Sequence, residues 1–244
     1  MHKIIGGTDK GRMRVSNQDA FAGRTLEEGC AYLLVCDGLG GENGGEVASA
    51  LACQEITRVL EGGLRPDMTD RSLRGLLESA FVTANAVIRR RAREDLSLAG
   101  MCTTAVAAVA LGGEIPLCHV GDSRAYRLKG EEAVALTTDH TLVQMLIDEG
   151  KITEDEAADR PDRHHITRAV GAEDYLDVEL GSCTLQPGET LLLCSDGLYN
   201  MVDKGEYPAL ARRCLEEGSA APFLERANQL GGADNITVLL LYGG

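Results

Sequence analysis

The segment from residue 103 to residue 136 constrains the fold more than any other part of the chain. It carries three short apolar runs, TTAVAAVAL, IPLCHVGD and SRAYRL, with Gly112 and Gly113 between the first two. Parallel neighbouring strands would need a crossover of about a dozen or more residues, usually a helix, and these gaps are far too short for one. The sequence therefore predicts antiparallel hairpins here instead of repeated βαβ units.

Amphipathic helices and further strands are predicted on both sides of that segment. Helices are expected after Gly44 and from Thr69 or Asp70, because apolar residues recur there at helical spacing. The more polar segment 140–171 is expected to be a mobile excursion over the surface. This mixture predicts the α+β class. We expect strands within 3–34 and at 176–184, 189–194 and 235–242, and helices at 142–148, 206–217 and 221–230.

Composition limits the class of protein. With 244 residues and 44% hydrophobic content, the chain can bury a substantial core, and we expect a single domain spanning residues 1–244. The net charge of -14 argues against a nucleic-acid binder, which needs concentrated Lys and Arg. The sequence has no cationic start before an apolar segment and no apolar run long enough to span a bilayer, so we expect a cytoplasmic protein without membrane contact. The eight dispersed cysteines form no CxxC pair and are expected to be reduced.

Two aspartate–glycine steps follow apolar runs that are typical of buried strands. They are CDGLGG, which contains Asp37, and CSDGL, which contains Asp196. Asp19 ends the step NQD and Asp234 starts DNITV, near opposite ends of the chain. Aspartates brought together would repel one another unless a cation compensates them, and hard oxygen ligands suit magnesium or manganese. The pattern predicts one oxygen-rich metal site.

The early motif TDKGRMRVSNQD adds a candidate phosphate ligand. Arg14 can present a planar fork of donors to phosphate oxygens. Two divalent ions roughly 3.5–4 Å apart can share a water, lower its pKa and polarise a phosphoryl oxygen. The combination predicts hydrolysis of phosphoesters.

A series of motifs carries a family resemblance over essentially the whole chain. Taken in order, they resemble the bacterial branch of the metal-dependent, type-2C (PPM) serine/threonine protein phosphatases. The resemblance implies a four-layer αββα sandwich, with two packed, mainly antiparallel β-sheets flanked by helices. The motifs are DKGRMRVSNQD, CDGLGGENGGEVAS, MCTTAV, VGDSRAYRL, LTTDHTLVQML, ITRAVG, LLLCSDGL and GGADNITVLL.

The resemblance also implies roles for individual residues. Asp37 would bridge two metals, and the carbonyl of Gly38 would join the second. Asp196 and Asp234 would hold the first. Bacterial members of the family also bind a third metal. The manganese- or magnesium-site residues implied are Asp19, Asp37, Gly38, Asp122, Asp196 and Asp234, with Asp122 and Asp196 at the third ion and Asp19 orienting metal-bound water.

The activity implied is hydrolysis of phosphoserine and phosphothreonine in proteins. A metal-activated water would attack phosphorus in line, without a phosphoenzyme, while Arg14 binds the phosphate. Residues 140–171 would form a flap beside the site, where substrates are selected. The partners implied are phosphorylated proteins and a cognate bacterial serine/threonine kinase, and we expect the phosphatase to be a monomer.

Three positions depart from the family pattern. Gln18 stands where Glu is frequent, so a negative charge near the second metal is missing. Leu39 occupies the place of a histidine proposed as the general acid in animal members. Cys102 replaces a common glycine and indicates a packing change.

Three alternative functions remain open at this point. The first is a catalytically silent type-2C fold that binds phosphoproteins or regulates other proteins. The second is a cysteine-dependent phosphatase, because Cys118 to Arg124 satisfies CxxGxxR, although Asp122 would repel phosphate there. The third is a dinucleotide site at GLGGENGG, which the β-rich middle does not support. Histidines 140, 164 and 165 are interpreted as hydrogen-bonded or solvated.

Overall fold

Strands and helices alternate unevenly along the chain, with most helices grouped in pairs. The computed structural model describes residues 2–26, 29–39, 41–158 and 160–243. The strands are β1 (Lys3–Asp9), β2 (Asp19–Thr25), β3 (Ala31–Leu39), β4 (Cys102–Thr103), β5 (Ala105–Ala110), β6 (Ile115–Val120), β7 (Arg124–Lys129), β8 (Glu132–Ala135), β9 (Glu179–Cys183), β10 (Thr190–Cys194) and β11 (Ile236–Tyr242). The helices are α1 (Gly41–Gly63), α2 (Asp70–Glu94), α3 (Leu142–Asp148), α4 (Glu154–Ala158), α5 (Asp196–Tyr199), α6 (Tyr207–Glu217) and α7 (Ala221–Gln229).

The strands form two sheets. One has the order β1-β11-β10-β7-β8, and the other has the order β2-β3-β5-β6-β9, with β4 paired to β3. Every strand pair among the described residues is antiparallel, which confirms the hairpins predicted for 103–136. The chain changes sheets between β6 and β7, so the turn at 121–123 lies where the two sheets meet.

Three hydrophobic clusters stack the elements into four layers. One cluster packs α1 and α2 on the sheet that contains β3. A second packs α6 and α7 on the sheet that contains β10 and β11, and the third lies between the sheets. This is the αββα sandwich that the resemblance implied. None of the described helices is long and apolar enough to cross a membrane.

Alternation along β3 shows how sequence assigns side chains to layers. Tyr32 and Leu34 belong to the cluster under the helices, whereas Leu33 and Val35 belong to the cluster between the sheets. Successive side chains on a strand point to opposite faces. Asp37 has the parity of Leu33 and Val35, so its carboxylate lies between the sheets at the end of β3.

One isolated bridge closes the segment 140–171 on itself, and a second ties its exit to β4. The first joins Thr141 to Ile166, both within the segment, and the second joins Val170 to Thr103. Helix α3 occupies residues 142–148, as predicted. Residue 159 lies outside the described residues. The segment is therefore an excursion whose entry and exit share the same edge of the sandwich.

Two short helices were not predicted: α4, at residues 154–158, and α5. The step CSDGL was expected to place Asp196 at the end of a strand, but α5 begins at Asp196. Ser195 precedes it with extended backbone, in the N-cap position that serine favours. A helix of four residues is too short for hydrophobic periodicity to detect. The other differences are small, such as α6 beginning at Tyr207 after a 3₁₀ turn.

Candidate metal and phosphate site

The pairing register of β2 with β3 brings the first two candidate carboxylates together. Asp19 is the first residue of β2, Asp37 lies near the end of β3, and the two are direct partners across the pair. The backbone around Asp37 is fixed from the neighbouring segment, because its carbonyl accepts from Thr104 N at 2.8 Å and from Thr103 Oγ1 at 2.8 Å. Asp37 is therefore presented by a rigid part of the sheet.

Asp196 and Asp234 reach the same edge from the other sheet. Strands β10 and β11 are antiparallel neighbours, with Cys194 opposite Val238, so the end of β10 lies beside the start of β11. Asp196 follows β10, and Asp234 precedes β11. Arg14, from the loop between β1 and β2, donates to Asp234 Oδ2 at 2.7 Å. The structure thus places the candidate phosphate ligand directly against a candidate metal ligand.

Asp122 enters at the turn where the chain crosses between sheets. It is buried, and its Oδ2 accepts a hydrogen bond from the Tyr199 hydroxyl at 3.1 Å. Asp122 and Asp196 repel each other electrostatically, which places their charges in one neighbourhood. The third-ion pair expected from the resemblance is therefore brought together.

Gly38 permits a close backbone approach. A Cβ at this position would collide with the carbonyl oxygen of Gly45, and it would lie 2.7 Å from the carbonyl oxygen of Gln18. The Gly38 amide donates to that same Gln18 carbonyl at 3.1 Å. Only glycine lets the start of α1 pack this tightly against the end of β3.

An open pocket of about 810 Å³ joins these residues. Asp19 does not line the pocket itself but is the strand partner of Asp37, which does. It is held by two hydroxyls, Ser195 Oγ at 2.7 Å and Thr237 Oγ1 at 2.6 Å, both of which donate to Oδ2. Every other site residue predicted from the sequence lines the pocket: Arg14, Asp37, Gly38, Asp122, Asp196 and Asp234.

The carboxylates are costly to ionise where they stand. Burial raises the pKa of Asp19 to about 6 and that of Asp196 to about 8. Burial also raises the pKa of Asp37 well above its usual range, with the charge of Asp19 as the next cause. The pKa of Asp122 rises to about 6 for the same reason of burial. Removing a carboxylate from water disfavours its charged form, and neighbouring negative charges add to that effect.

The residues present fit a hard divalent cation. Asp19 Oδ1 and Asp196 Oδ1 are buried and have no hydrogen-bond partner among the described residues. Arg14 supplies one positive charge to the cluster through Asp234, but its side chain is 56% exposed. Buried oxygens with uncompensated charge are the donors that magnesium and manganese prefer.

Sequence reasoning missed the residues that hold the site together. Asn235 donates from Nδ2 to the Lys10 and Ser16 carbonyls and accepts from Gln18 N at 2.8 Å, which fixes the Arg14 loop. Asn235 directly follows Asp234, so its position in DNITV was the available signal. Ser195 and Thr237 border apolar runs, but nothing in their spacing indicates that both would meet Asp19.

The cysteine-dependent alternative does not match the structure. Cys118 lies within β6 and is fully buried, and burial raises the pKa of its thiol far above the usual value. Arg124 begins β7 and makes a bidentate pair with Asp139, at 2.8 and 2.6 Å. A reactive cysteine needs an accessible thiolate and a loop of free donors. The dinucleotide alternative fails as well, because both main neighbours of β3 are antiparallel to it.

A second group of metal-binding residue types lies next to the turn that contains Asp122. It comprises His119, His140 and Glu179. His140 Nδ1 accepts from Gly121 N at 3.1 Å, which leaves the proton on Nε2, facing Glu179 Oε2 at 3.2 Å. Both ring nitrogens of His140 are thus engaged in hydrogen bonds, as the sequence interpretation expected. His164 lines the main pocket, on the side of residues 140–171.

Comparison with known proteins gives the family. Residues 7–231 match the model of the family described as protein phosphatase 2C. The serine/threonine phosphatase stp of Listeria innocua serovar 6a is 36% identical over 239 residues, which cover 96% of this chain and 93% of that protein.

Solved structures agree over the same span. The serine/threonine phosphatase of S. agalactiae superposes with a TM-score of 0.89 at 30% identity and covers 100% of both chains. The catalytic domain of the serine/threonine phosphatase PstP, solved in complex with two manganese ions, superposes with a TM-score of 0.84 at 31% identity and covers 99% of this chain and 97% of that one. Because fold, motifs and sequence all match across nearly the whole length, the chain belongs to the protein phosphatase 2C family.

Proposed function

We propose that this protein hydrolyses phosphoserine and phosphothreonine in proteins, with magnesium or manganese as cofactor. The observation that carries the proposal is the convergence of buried, uncompensated carboxylate oxygens beside Arg14 in one open pocket. The names of the relatives and the manganese in PstP support the same activity.

Each candidate ligand has a proposed place. Asp37 would serve both of two ions, the Gly38 carbonyl would join it at the second, and Asp196 and Asp234 would hold the first. Asp122 would act with Asp196 at a further ion. When bound, such cations would polarise a phosphoryl oxygen and lower the pKa of a water molecule.

Arg14 would bind and orient the substrate phosphate. Its guanidinium stays charged, because the hydrogen bond to Asp234 raises its pKa further. A guanidinium presents several N–H donors in a rigid fork. The contact with Asp234 is made by Nη2, so other donors of the fork would serve the phosphate. The fork would hold the phosphoryl group so that the attacking water and the leaving oxygen lie in line. Such positioning lowers the barrier to phosphoryl transfer.

Asp19 would orient the attacking water. Its Oδ2 is occupied by the Ser195 and Thr237 hydroxyls, which leaves Oδ1 as the oxygen that can accept from water. Two fixed hydroxyls prevent the carboxylate from rotating, so the accepting oxygen keeps one direction. Asp19 would hold the water in place and accept its proton at Oδ1.

Substrate choice would depend on the segment 140–171, which contributes His164 and Ile166 to the pocket wall. We propose further that residues 1–244 act as one catalytic domain and as a monomer. Such a monomer would oppose a cognate serine/threonine kinase in the cytoplasm.

A single assay separates the proposed function from its alternatives. Hydrolysis of a phosphothreonine peptide is measured with manganese, with a chelator, and after thiol alkylation. We expect activity with manganese, loss in chelator and survival of alkylation, because Cys36, Cys118 and Cys194 are buried. Activity that survived chelation but not alkylation would instead support Cys118. Phosphopeptide binding without turnover under every metal condition would support the silent module.

A further inference from the structure

Four side chains form a chain of contacts that starts at the buried Asp122 and continues through three partly buried residues. The hydroxyl of Tyr199 donates to Asp122 Oδ2 at 3.1 Å. The guanidinium carbon of Arg124 lies 3.6 Å from the centre of the Tyr199 ring. Arg124 is itself fixed by a bidentate pair with Asp139 at 2.8 and 2.6 Å. Tyr199 is therefore held at both its hydroxyl and its ring face.

The position of Tyr199 on α5 links two candidate ligands. Asp196 begins this helix and Tyr199 ends it, one helical turn later. The same short helix thus carries Asp196 directly and contacts Asp122 through the tyrosine hydroxyl. A tyrosine hydroxyl ordinarily ionises only at a pKa of about 10, so it is a neutral donor at neutral pH. A neutral donor fixes the rotation of a carboxylate without neutralising its charge.

We infer that Tyr199 is a positioning residue, which orients Asp122 toward the ion that it would share with Asp196. The Arg124–Asp139 pair holds the tyrosine ring in the plane that this hydrogen bond requires. The inference rests on the proposed role of Asp122 as a cation ligand and assigns a new role to a residue outside the ligand set. Sequence motifs did not single out Tyr199, because its contact with Asp122 exists only in the folded chain.

The test is manganese binding measured by titration calorimetry without substrate. Tyr199→Phe removes the hydroxyl and keeps the ring. We expect the manganese site that Asp122 would share with Asp196 to lose about tenfold in affinity, the effect typical of losing an outer hydrogen bond to a metal ligand. The matched control is Tyr32→Phe, whose hydroxyl donates to Glu61 Oε1 at 2.8 Å and contacts neither Asp122 nor Arg124. Its manganese isotherm should match the wild type.

A double-mutant cycle with Asp122→Asn separates the possible failures. In the Asp122→Asn background, Tyr199→Phe should cause no further loss, because the pair is already broken. If Asp122→Asn weakens manganese binding and Tyr199→Phe does not, the positioning role is wrong and the metal site stands. If Asp122→Asn leaves every site unchanged, the proposed ligand role of Asp122 fails, and this inference fails with it.

A second variant keeps the test valid if Tyr199→Phe folds poorly. Arg124→Lys removes the fork and the stacked plane but keeps the charge. It should weaken the same manganese site several-fold and leave the other sites unchanged. Circular dichroism in chelator checks folding of each variant. A folded Arg124→Lys protein with a wild-type isotherm would overturn the inference.

Discussion

Asp19 and Asp37 face each other as direct partners across β2 and β3, so two carboxylates share the buried end of the sandwich. Their mutual repulsion contributes to the raised pKa of Asp37. The folded chain stores this electrostatic cost at the site where cations are proposed to bind. Stability and cation binding should therefore respond in opposite directions to the loss of one charge.

Replacing Asp37 tests that opposition. In chelator, Asp37→Asn should raise the free energy of unfolding by roughly 1–2 kcal/mol, because a buried like charge is removed. The same variant should lose the manganese-induced rise in Tm and the phosphatase activity, because a ligand is lost. Thermal denaturation with and without manganese measures both. The exposed Asp67→Asn serves as control and should change neither; a destabilised Asp37→Asn in chelator would contradict the prediction.

The pH dependence of stability in chelator follows from the raised pKa values. Folded Asp19 and Asp196 titrate at about 6 and about 8, above the ordinary 3.8. Between the ordinary pKa of about 3.8 and these raised pKa values, the folded state binds more protons than the unfolded state. The free energy of unfolding therefore falls as pH rises. The Tm should therefore decrease from about pH 5 to about pH 8 in chelator. Saturating manganese should abolish or reverse the trend, because ligands must be ionised to bind it.

Asp196→Asn provides the control for that titration. Since a carboxyl group with a pKa of about 8 is removed, the decline of Tm between about pH 6 and about pH 8 should become shallower in chelator. An unchanged slope would assign the pH dependence to other groups.

Arg14 should act on substrate binding and not on folding. Arg14→Lys keeps the charge but loses the planar fork, so we expect KM for a phosphothreonine peptide to rise about tenfold with a smaller change in kcat. The side chain is 56% exposed, and its pair with Asp234 should contribute little to stability. Steady-state kinetics and Tm are the measurements. Arg12→Lys, on the same loop, is the matched control, and equal kinetic effects at both positions would refute a specific role.

The hydroxyls that hold Asp19 should control its protonation. Hydrogen bonds from Thr237 and Ser195 lower the pKa of Asp19 against the effect of burial. In Thr237→Val the pKa should rise, so the acidic limb of the pH–rate profile should move to higher pH and kcat should fall. Thr8→Val is the control, because Thr8 contacts the Thr237 hydroxyl at 2.7 Å and does not reach Asp19. An acidic limb that stays in place in Thr237→Val would show that this bond does not set the protonation of Asp19.

Local sequence patterns predicted most helices and strands, because these elements depend on residues that are close together along the chain. Helix α2 begins after Thr69, whose side chain caps it, and α3 spans the residues expected from its apolar spacing. The closely spaced runs of 103–136 could only pair antiparallel. The four-layer arrangement, in contrast, came from the family resemblance, because periodicity does not say which sheet a strand joins. Neither β6 nor β7 carries a signal that the chain changes sheets between them.

By itself, the sequence predicted the kind of site, since clustered aspartates suit hard cations and an arginine suits phosphate. It also predicted the two strands near whose ends Asp37 and Asp196 lie. Tertiary structure alone decided which atoms meet: Ser195 and Thr237 on Asp19, Arg14 on Asp234, and Tyr199 on Asp122. The physical reason is distance along the chain. Residues 77 to 220 positions apart become neighbours only after the two sheets pack, and no local preference encodes that contact.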